Sequence, residues 1–80
     1  MQQRWLELDS SRAAIGAAID GVRSATEARR VVSERFSAGV IASSEVIDAD
    51  LAVLQAELDL TRARANARLA EARLERAIGR

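Results

Sequence analysis

The second half of the chain carries an apolar pattern that returns every seven residues without interruption. A second series, made only of alanine, follows the first by three positions throughout. The two series are Val46, Val53, Leu60, Ala67 and Leu74, and Ala49, Ala56, Ala63, Ala70 and Ala77. Spacing of this kind keeps one side of an α-helix against a partner helix over its whole length. The pattern therefore predicts one long helix that packs lengthwise on another.

The first half supplies a partner helix with a less regular pattern. Its first series, which Arg29 interrupts, is Leu8, Ile15, Val22 and Phe36, and its second is Ala18, Ala25 and Val32. The chain has no proline and only four glycines, so long stretches contain nothing that breaks a helix. Gly16 and Gly21 weaken this helix by about 1 kcal/mol each relative to alanine, and they mark either close helix approach or local bending.

A short break centred on Gly39 separates the two halves. Glycine suits the left-handed position that ends a helix, and we expect Ser43 or Ser44 to accept hydrogen bonds from the N–H groups that open the next helix. The sequence predicts a helix at about residues 3–37, a turn at about 38–44 and a helix at about 45–78. Because the turn is short, the helices should run antiparallel. The expected fold is all-α, an antiparallel two-helix coiled-coil hairpin.

A second apolar stripe lies on a different face of the second helix. Its members are Ile47, Leu51, Leu54 and Leu58. One partner helix covers only one of the two stripes, and leaving the other in water would forfeit on the order of several kcal/mol. We therefore expect the hairpin to pack laterally into a larger helical bundle or barrel, as a homo-oligomer. Within the hairpin, basic residues near the end of the first helix should face the acids that open the second; they are Arg29, Arg30 and Arg35.

Composition excludes several classes of function. The chain has no Cys and no His, which rules out disulfides, thiol or imidazole catalysis and the usual zinc sites. Its 12 acidic residues balance 12 Arg, so no general basic field is available for nucleic acid. Neither a signal peptide nor an apolar span of about 18 residues is present. We expect no enzymatic activity, no cofactor, no metal and no membrane contact by this segment itself, and any targeting sequence would lie elsewhere in a longer protein.

The residues around the turn form a more specific pattern. Residues 34–49 read ERFSAGVIASSEVIDA. This stretch resembles the helix–turn–helix at the periplasmic tip of TolC-like outer-membrane efflux proteins, where an Arg-aromatic pair, two residues, Gly and an aliphatic residue lead to Asp-Val-Leu-Asp-Ala. Residues 54–58 and 72–79 are similar to the family's returning helix and its end. The resemblance is clear over about residues 30–79, whereas residues 1–29 fit it only as generic helix.

The resemblance implies a trimeric channel whose protomers pack long hairpins side by side into an α-barrel, in the periplasmic part of an outer-membrane protein. This chain would be one hairpin of that larger protein. Ala38, Gly39 and Val40 match the tip turn that docks a periplasmic adaptor, which in turn links the channel to an inner-membrane pump. Glu45 and Asp48 match an acidic pair that rings the entrance and favours cations in some members. The second apolar stripe would be the lateral packing surface.

Other interpretations stay open at this stage. A soluble antiparallel coiled coil that serves as an oligomerisation or scaffold module explains the seven-residue repeats, but not the Arg-Phe-x-x-Gly motif or the acidic spacing. The α-hairpin of an adaptor would carry an Arg-Leu-Ser type tip motif, which this turn lacks. Glu45 and Asp48 also suit an acid–base pair, metal ligands, or simply the preference of acids for a helix N-terminus. Phe36 is expected to close the seam beside the turn.

Overall fold

A computed structural model describes residues 2–79 of the chain. It contains two helices, α1 (Gln2–Ser37) and α2 (Ser43–Ala77), and no strand among the residues that it describes. The helices lie side by side along their length, so the Cα atoms extend over 61 × 14 × 14 Å. Leu8, near the start of α1, packs with Ala70 and Leu74 near the end of α2, which makes the pair antiparallel. The predicted all-α helical hairpin is confirmed.

The first helix ends in a Schellman motif centred on Gly39. Gly39 has φ of 77°, in the left-handed region that disfavours any side chain. Its N–H donates to the carbonyl of Phe36 at 2.9 Å, and the N–H of Val40 donates to the carbonyl of Arg35 at 3.0 Å. These two hydrogen bonds satisfy carbonyls that the end of a helix leaves free. The left-handed role predicted for Gly39 is confirmed.

The second helix begins at Ser43, two residues before the predicted boundary. Its N-cap residue is Ala42, with extended backbone angles of φ −79° and ψ 154°, and no side chain caps the helix. The expectation that Ser43 or Ser44 provides the cap is therefore wrong. Both serines already lie inside the first turn, which is closed by a hydrogen bond of 3.1 Å from the N–H of Glu45 to the carbonyl of Ala42.

The helices pack along the predicted seam. The buried residues of α2 all belong to the two seven-residue series, and they are Val53, Ala63, Ala67, Ala70 and Leu74. Leu8 of α1 is also buried, with 3% exposure. Most other seam positions are half-buried, because two helices alone leave the sides of their interface open. The interface between the helices is thus the one that the heptad pattern predicts.

Near the turn, the residues that close the seam differ from the predicted ones. Phe36 is 45% exposed, so it does not close the seam. An α-helix drifts by about 20° per heptad relative to a strict seven-residue repeat, and Phe36 lies four heptads beyond Leu8. Ile41 in the turn and Val46 in α2 are half-buried instead. Arg29, which interrupts the series, is also half-buried.

The expected ion pairs between the helices are absent for the arginines concerned. Arg30 binds two carboxylates of its own helix, with Arg30 Nη2 at 2.6 Å from Glu27 Oε1 and Arg30 Nη1 at 2.5 Å from Glu34 Oε1. Neither Arg29 nor Arg35 forms an ion pair with any described residue. The prediction of cross-helix pairing is wrong, because carboxylates three and four residues away on the same helix lie closer to Arg30. The register of the hairpin depends on apolar packing.

Candidate assembly surface and hairpin tip

The tip of the hairpin is a small apolar projection. Ala38, Gly39 and Val40 are all exposed, and the Val40 side chain reaches 71% exposure. The Schellman hydrogen bonds fix the backbone on both sides of Gly39, so Val40 is held in solvent and does not fold back on the seam. A Cβ atom at Gly39 would meet nothing within 4 Å. Glycine is therefore required there by its positive φ and not by crowding.

Two carboxylates lie beside the tip at the start of α2. Glu45 and Asp48 are exposed, and neither side-chain carboxylate makes a hydrogen bond or an ion pair with the residues that the structure describes. A spacing of three residues places them on one side of the helix, about 60° apart around its axis. No group of three or more metal-ligating side chains occurs within residues 2–79. The pair places negative charge beside the tip.

The second apolar stripe of α2 remains outside the hairpin. Its members Ile47, Leu51, Leu54 and Leu58 are 58%, 57%, 54% and 46% exposed, respectively. We refer to these four residues as the apolar stripe. They are large aliphatic side chains in consecutive turns of one helix, and the partner helix α1 leaves all of them about half in water. The stripe is a continuous surface that runs along the tip half of α2.

The apolar stripe and the seam lie on nearly opposite sides of α2. Each stripe residue precedes a seam residue by two positions, as in Leu51 and Val53 or Leu58 and Leu60. Two residues correspond to about 200° around a helix axis, so the two surfaces are about 160° apart. A helix that contacts a neighbour on each of two opposite sides sits in the middle of a layer. The arrangement suits a wall of helices placed side by side.

Comparison with known families tests the origin of this hairpin. The family model for outer membrane efflux proteins matches residues 2–80. The chain belongs to the outer membrane efflux protein family. The match includes residues 2–29, which resemble the family only as generic helix when the sequence is considered alone. No curated protein and no solved structure matches the chain. The family is one of transport proteins and not of enzymes.

In this efflux-family hairpin, the predicted site residues gather at one end. The turn, the two carboxylates Glu45 and Asp48, and the first stripe residue Ile47 all lie within three turns of the tip. The rest of the apolar stripe continues from there toward the middle of α2. Over the part of the chain that the structure describes, neither helix holds an apolar stretch long enough to cross a membrane.

The efflux-family hairpin also exposes apolar residues outside the four predicted for the stripe. Leu69 is 49% exposed and lies 11 residues after Leu58. Eleven residues make about three helical turns, so Leu69 continues the apolar stripe on the same side of α2. Trp5 and Leu6, at the opposite end from the tip, are 52% and 62% exposed. The spacing of 11 residues between Leu58 and Leu69 could have placed Leu69 on the stripe from the sequence alone. The smaller Thr61 and Ala65 lie between them and hide the continuation of the run of large side chains.

One charged cluster lies on the exposed side of α1. Arg30 links Glu27 and Glu34 through the hydrogen bonds of its guanidinium group. The hydrogen bond from Arg30, and secondarily its positive charge, lower the pKa of Glu27, and the same contacts raise the pKa of Arg30 above its ordinary value. All three side chains are more than half exposed, so water and salt screen the cluster. It stabilises the end of α1 locally.

Proposed function

We propose that the chain forms part of the wall of a periplasmic helical tunnel in an outer-membrane efflux channel, with its turn at the tunnel entrance. The apolar stripe on the side of α2 opposite the seam is the observation that carries this proposal. A scaffold hairpin that works alone needs only the seam. Membership of the outer membrane efflux protein family supports the same interpretation.

The exposed stripe has an energetic consequence. Full burial of a leucine or isoleucine side chain contributes about 1.5–3 kcal/mol, so covering the exposed half of each stripe residue adds about 1 kcal/mol. Four such residues give about 4 kcal/mol per neighbouring contact. The total stability of a small domain is about 5–15 kcal/mol, so lateral packing would be a large part of what holds such hairpins in place. The proposal assigns the stripe to contacts between adjacent hairpins.

The tip carries the two finer parts of the proposal. Ala38, Gly39 and Val40 dock a periplasmic adaptor, which links the channel to an inner-membrane pump; the exposed Val40 on a rigid turn supports this role. Glu45 and Asp48 line the entrance and attract cations, since both carboxylates are exposed beside the turn. Both roles are supported by the same two observations, namely that these residues are exposed and that they lie at the tip.

Charge placed on the apolar stripe tests the lateral role. The variant Leu51→Glu with Leu58→Glu should abolish self-association of the chain, because two carboxylates would have to be buried at the contact. A matched control, Ala52→Glu with Asn66→Glu, adds the same charge at exposed positions of α2 outside the stripe and the seam. Sedimentation equilibrium measures association, and circular dichroism checks that both variants remain helical.

The expected result is an oligomeric wild type, an oligomeric control and a helical monomer for the stripe variant. A wild type that remains a folded monomer at micromolar concentration would contradict the proposal. In that case the soluble scaffold coiled coil would be the better account of the sequence.

The docking role of the tip is tested with Val40→Asp and, as a control, Ser33→Asp, which adds the same charge at an exposed position of α1. Binding of purified periplasmic adaptors from the source organism should weaken with Val40→Asp and remain unchanged with Ser33→Asp. Equal binding by both variants would refute docking at Val40.

The entrance role is tested with Glu45→Gln and Asp48→Asn in the channel that contains this segment. Loss of both carboxylates should reduce its preference for cations in a reversal-potential measurement. An unchanged reversal potential would remove these residues from the entrance.

A further inference from the structure

We infer that Arg62 lines the interior of the tunnel on the same side of α2 as Glu45 and Asp48, and that its positive charge limits the preference for cations that those carboxylates give the entrance. This inference rests on the tunnel role and the entrance role proposed above. It adds a residue that determines which ions pass, about 21 Å beyond Asp48 at a rise of 1.5 Å per residue.

Two sides of α2 stay open to solvent in a wall of helices. α1 covers the seam, and the proposed lateral contact covers the apolar stripe. Arg62 lies on one open side and Arg64 lies on the other, because two residues correspond to about 200° around the helix axis. One of these two sides faces the interior of the tunnel, and the position of the entrance carboxylates decides which.

Arg62 belongs to the side that carries the entrance carboxylates. Asp48, Gln55 and Arg62 follow one another at intervals of seven residues, and an adjacent series leads from Glu45 to Asp59. The seam of α2 repeats at the same interval, so each series keeps a constant position relative to the seam. All five residues are exposed. With Glu45 and Asp48 at the entrance, Arg62 lies in the interior behind them.

A groove shows which part of α1 shares this side. At the end of the hairpin opposite the tip, Ser10 of α1 lines the groove together with Asn66 of α2. Asn66 belongs to the same seven-residue series as Asp59. Intervals of seven residues lead from Ser10 to Ala17 and Ser24, which are exposed. Over this stretch of α1, nothing longer than a serine lies beside the charges of α2.

The charge of Arg62 has no role in holding the hairpin together. Its guanidinium group forms no ion pair with the residues that the structure describes. Asp59, the acid one turn earlier on the same side, accepts a hydrogen bond of 3.1 Å from Gln55 Nε2. Arg62 also lies 15 residues before Ala77, the last residue of α2, whereas a favourable interaction with the helix dipole is limited to the last turn. Neither an ion pair nor the dipole accounts for an arginine at this position.

The order of charges along this side gives Arg62 its effect. Counted from the tip, α2 places three carboxylates there, those of Glu45, Asp48 and Asp59, and Arg62 is its first basic residue on this side. The distance of about 21 Å from Asp48 exceeds the Debye length of about 8 Å at physiological salt, so Arg62 acts on a passing ion separately from the entrance pair. A cation that the entrance attracts therefore meets a repulsive charge inside the tunnel.

Reversal potentials of the channel that contains this segment test the inference. In a salt gradient across a planar lipid bilayer, Arg62→Gln should raise the ratio of cation to anion permeability by about twofold, because each chain loses a positive charge beside the passing ions. Arg62→Lys keeps the charge and should keep the wild-type ratio. Arg64→Gln removes the same charge from the opposite side of α2 and should leave the ratio unchanged. Glutamine and lysine are good helix formers, so α2 is preserved in all three variants.

Two substitutions in α1 give a second measurement that leaves Arg62 in place. Ser24→Asp adds a negative charge on the side of the entrance carboxylates, and Thr26→Asp adds it at nearly the same height on the opposite side of α1. Ser24→Asp should raise the ratio of cation to anion permeability, and Thr26→Asp should not. Equal ratios in these two variants would overturn the assignment of this side to the interior.

The outcomes separate the inference from the proposed function. A shift in Arg64→Gln that equals or exceeds the shift in Arg62→Gln would overturn the inference and leave the tunnel role standing, since the other side of α2 would then face the interior. An unchanged ratio in Arg62→Gln, together with a reduced ratio when Glu45→Gln and Asp48→Asn are combined, would overturn the inference and leave the entrance role standing. No change in any of these variants would overturn both the inference and the entrance role.

Discussion

Replacing Gly39 by alanine should destabilise the hairpin by a predictable amount. The backbone of Gly39 has φ of 77°, and the left-handed conformation costs a residue with a side chain about 1–2 kcal/mol. Alanine also restricts the unfolded chain, which returns about 0.4–1 kcal/mol. The net loss is about 1 kcal/mol, which corresponds to a decrease in Tm of about 4–8 °C for a domain of this size. Nothing lies within 4 Å of the added Cβ, so steric clash contributes little.

Gly79 offers a matched control for this prediction. Its φ is 78°, almost the same as that of Gly39, but it follows the end of α2 instead of linking the two helices. The last turn of α2 can unwind to relieve the strain, so Gly79→Ala should cost less than about 0.5 kcal/mol. Thermal melting followed by circular dichroism measures both, at one protein concentration because association shifts Tm. Equal melting of Gly39→Ala and wild type, or an equal loss in both variants, would refute the reasoning.

Two further predictions concern the seam and the charged cluster. Leu74 is 7% exposed and Leu69 is 49% exposed. Leu74→Ala should therefore lower the free energy of unfolding of the chain by about 2–3 kcal/mol, and Leu69→Ala by less than half of that. Equal losses in denaturant titrations would contradict the assignment of Leu74 to the seam. The pKa of Glu27 lies below its ordinary value because of Arg30, so its contribution to folding is complete above the ordinary pKa of glutamate and is lost as the pH falls through the lowered value. NMR titration of the Glu27 carboxyl group should give a higher midpoint in Arg30→Gln than in wild type, and an unchanged midpoint would exclude this ion pair in solution.

The sequence predicts those features that depend on periodicity and on glycine. The heptad series correctly predict which residues of α2 face α1. A seven-residue spacing alone keeps those residues on one side of the helix, so no knowledge of individual side-chain contacts is needed. Gly39 fixes the turn, because few other residues adopt its conformation. The predictions that failed depend on side-chain choices between near-equal partners. Arg30 forms its ion pairs with Glu27 and Glu34 of its own helix and not with an acid of α2. Phe36 lies outside the seam because the helix rotates relative to a strict seven-residue repeat.

The angle between the contact surfaces of each helix decides what kind of assembly this hairpin can join. A compact bundle of four helices places the two neighbours of a helix at about a right angle. In α2 the seam and the apolar stripe are instead about 160° apart. A neighbour that packs on the apolar stripe would then lie almost in line with α1 and α2. A layer built in this way would close on itself only after many helices and would enclose a wide interior, as the proposed tunnel requires and a compact core does not.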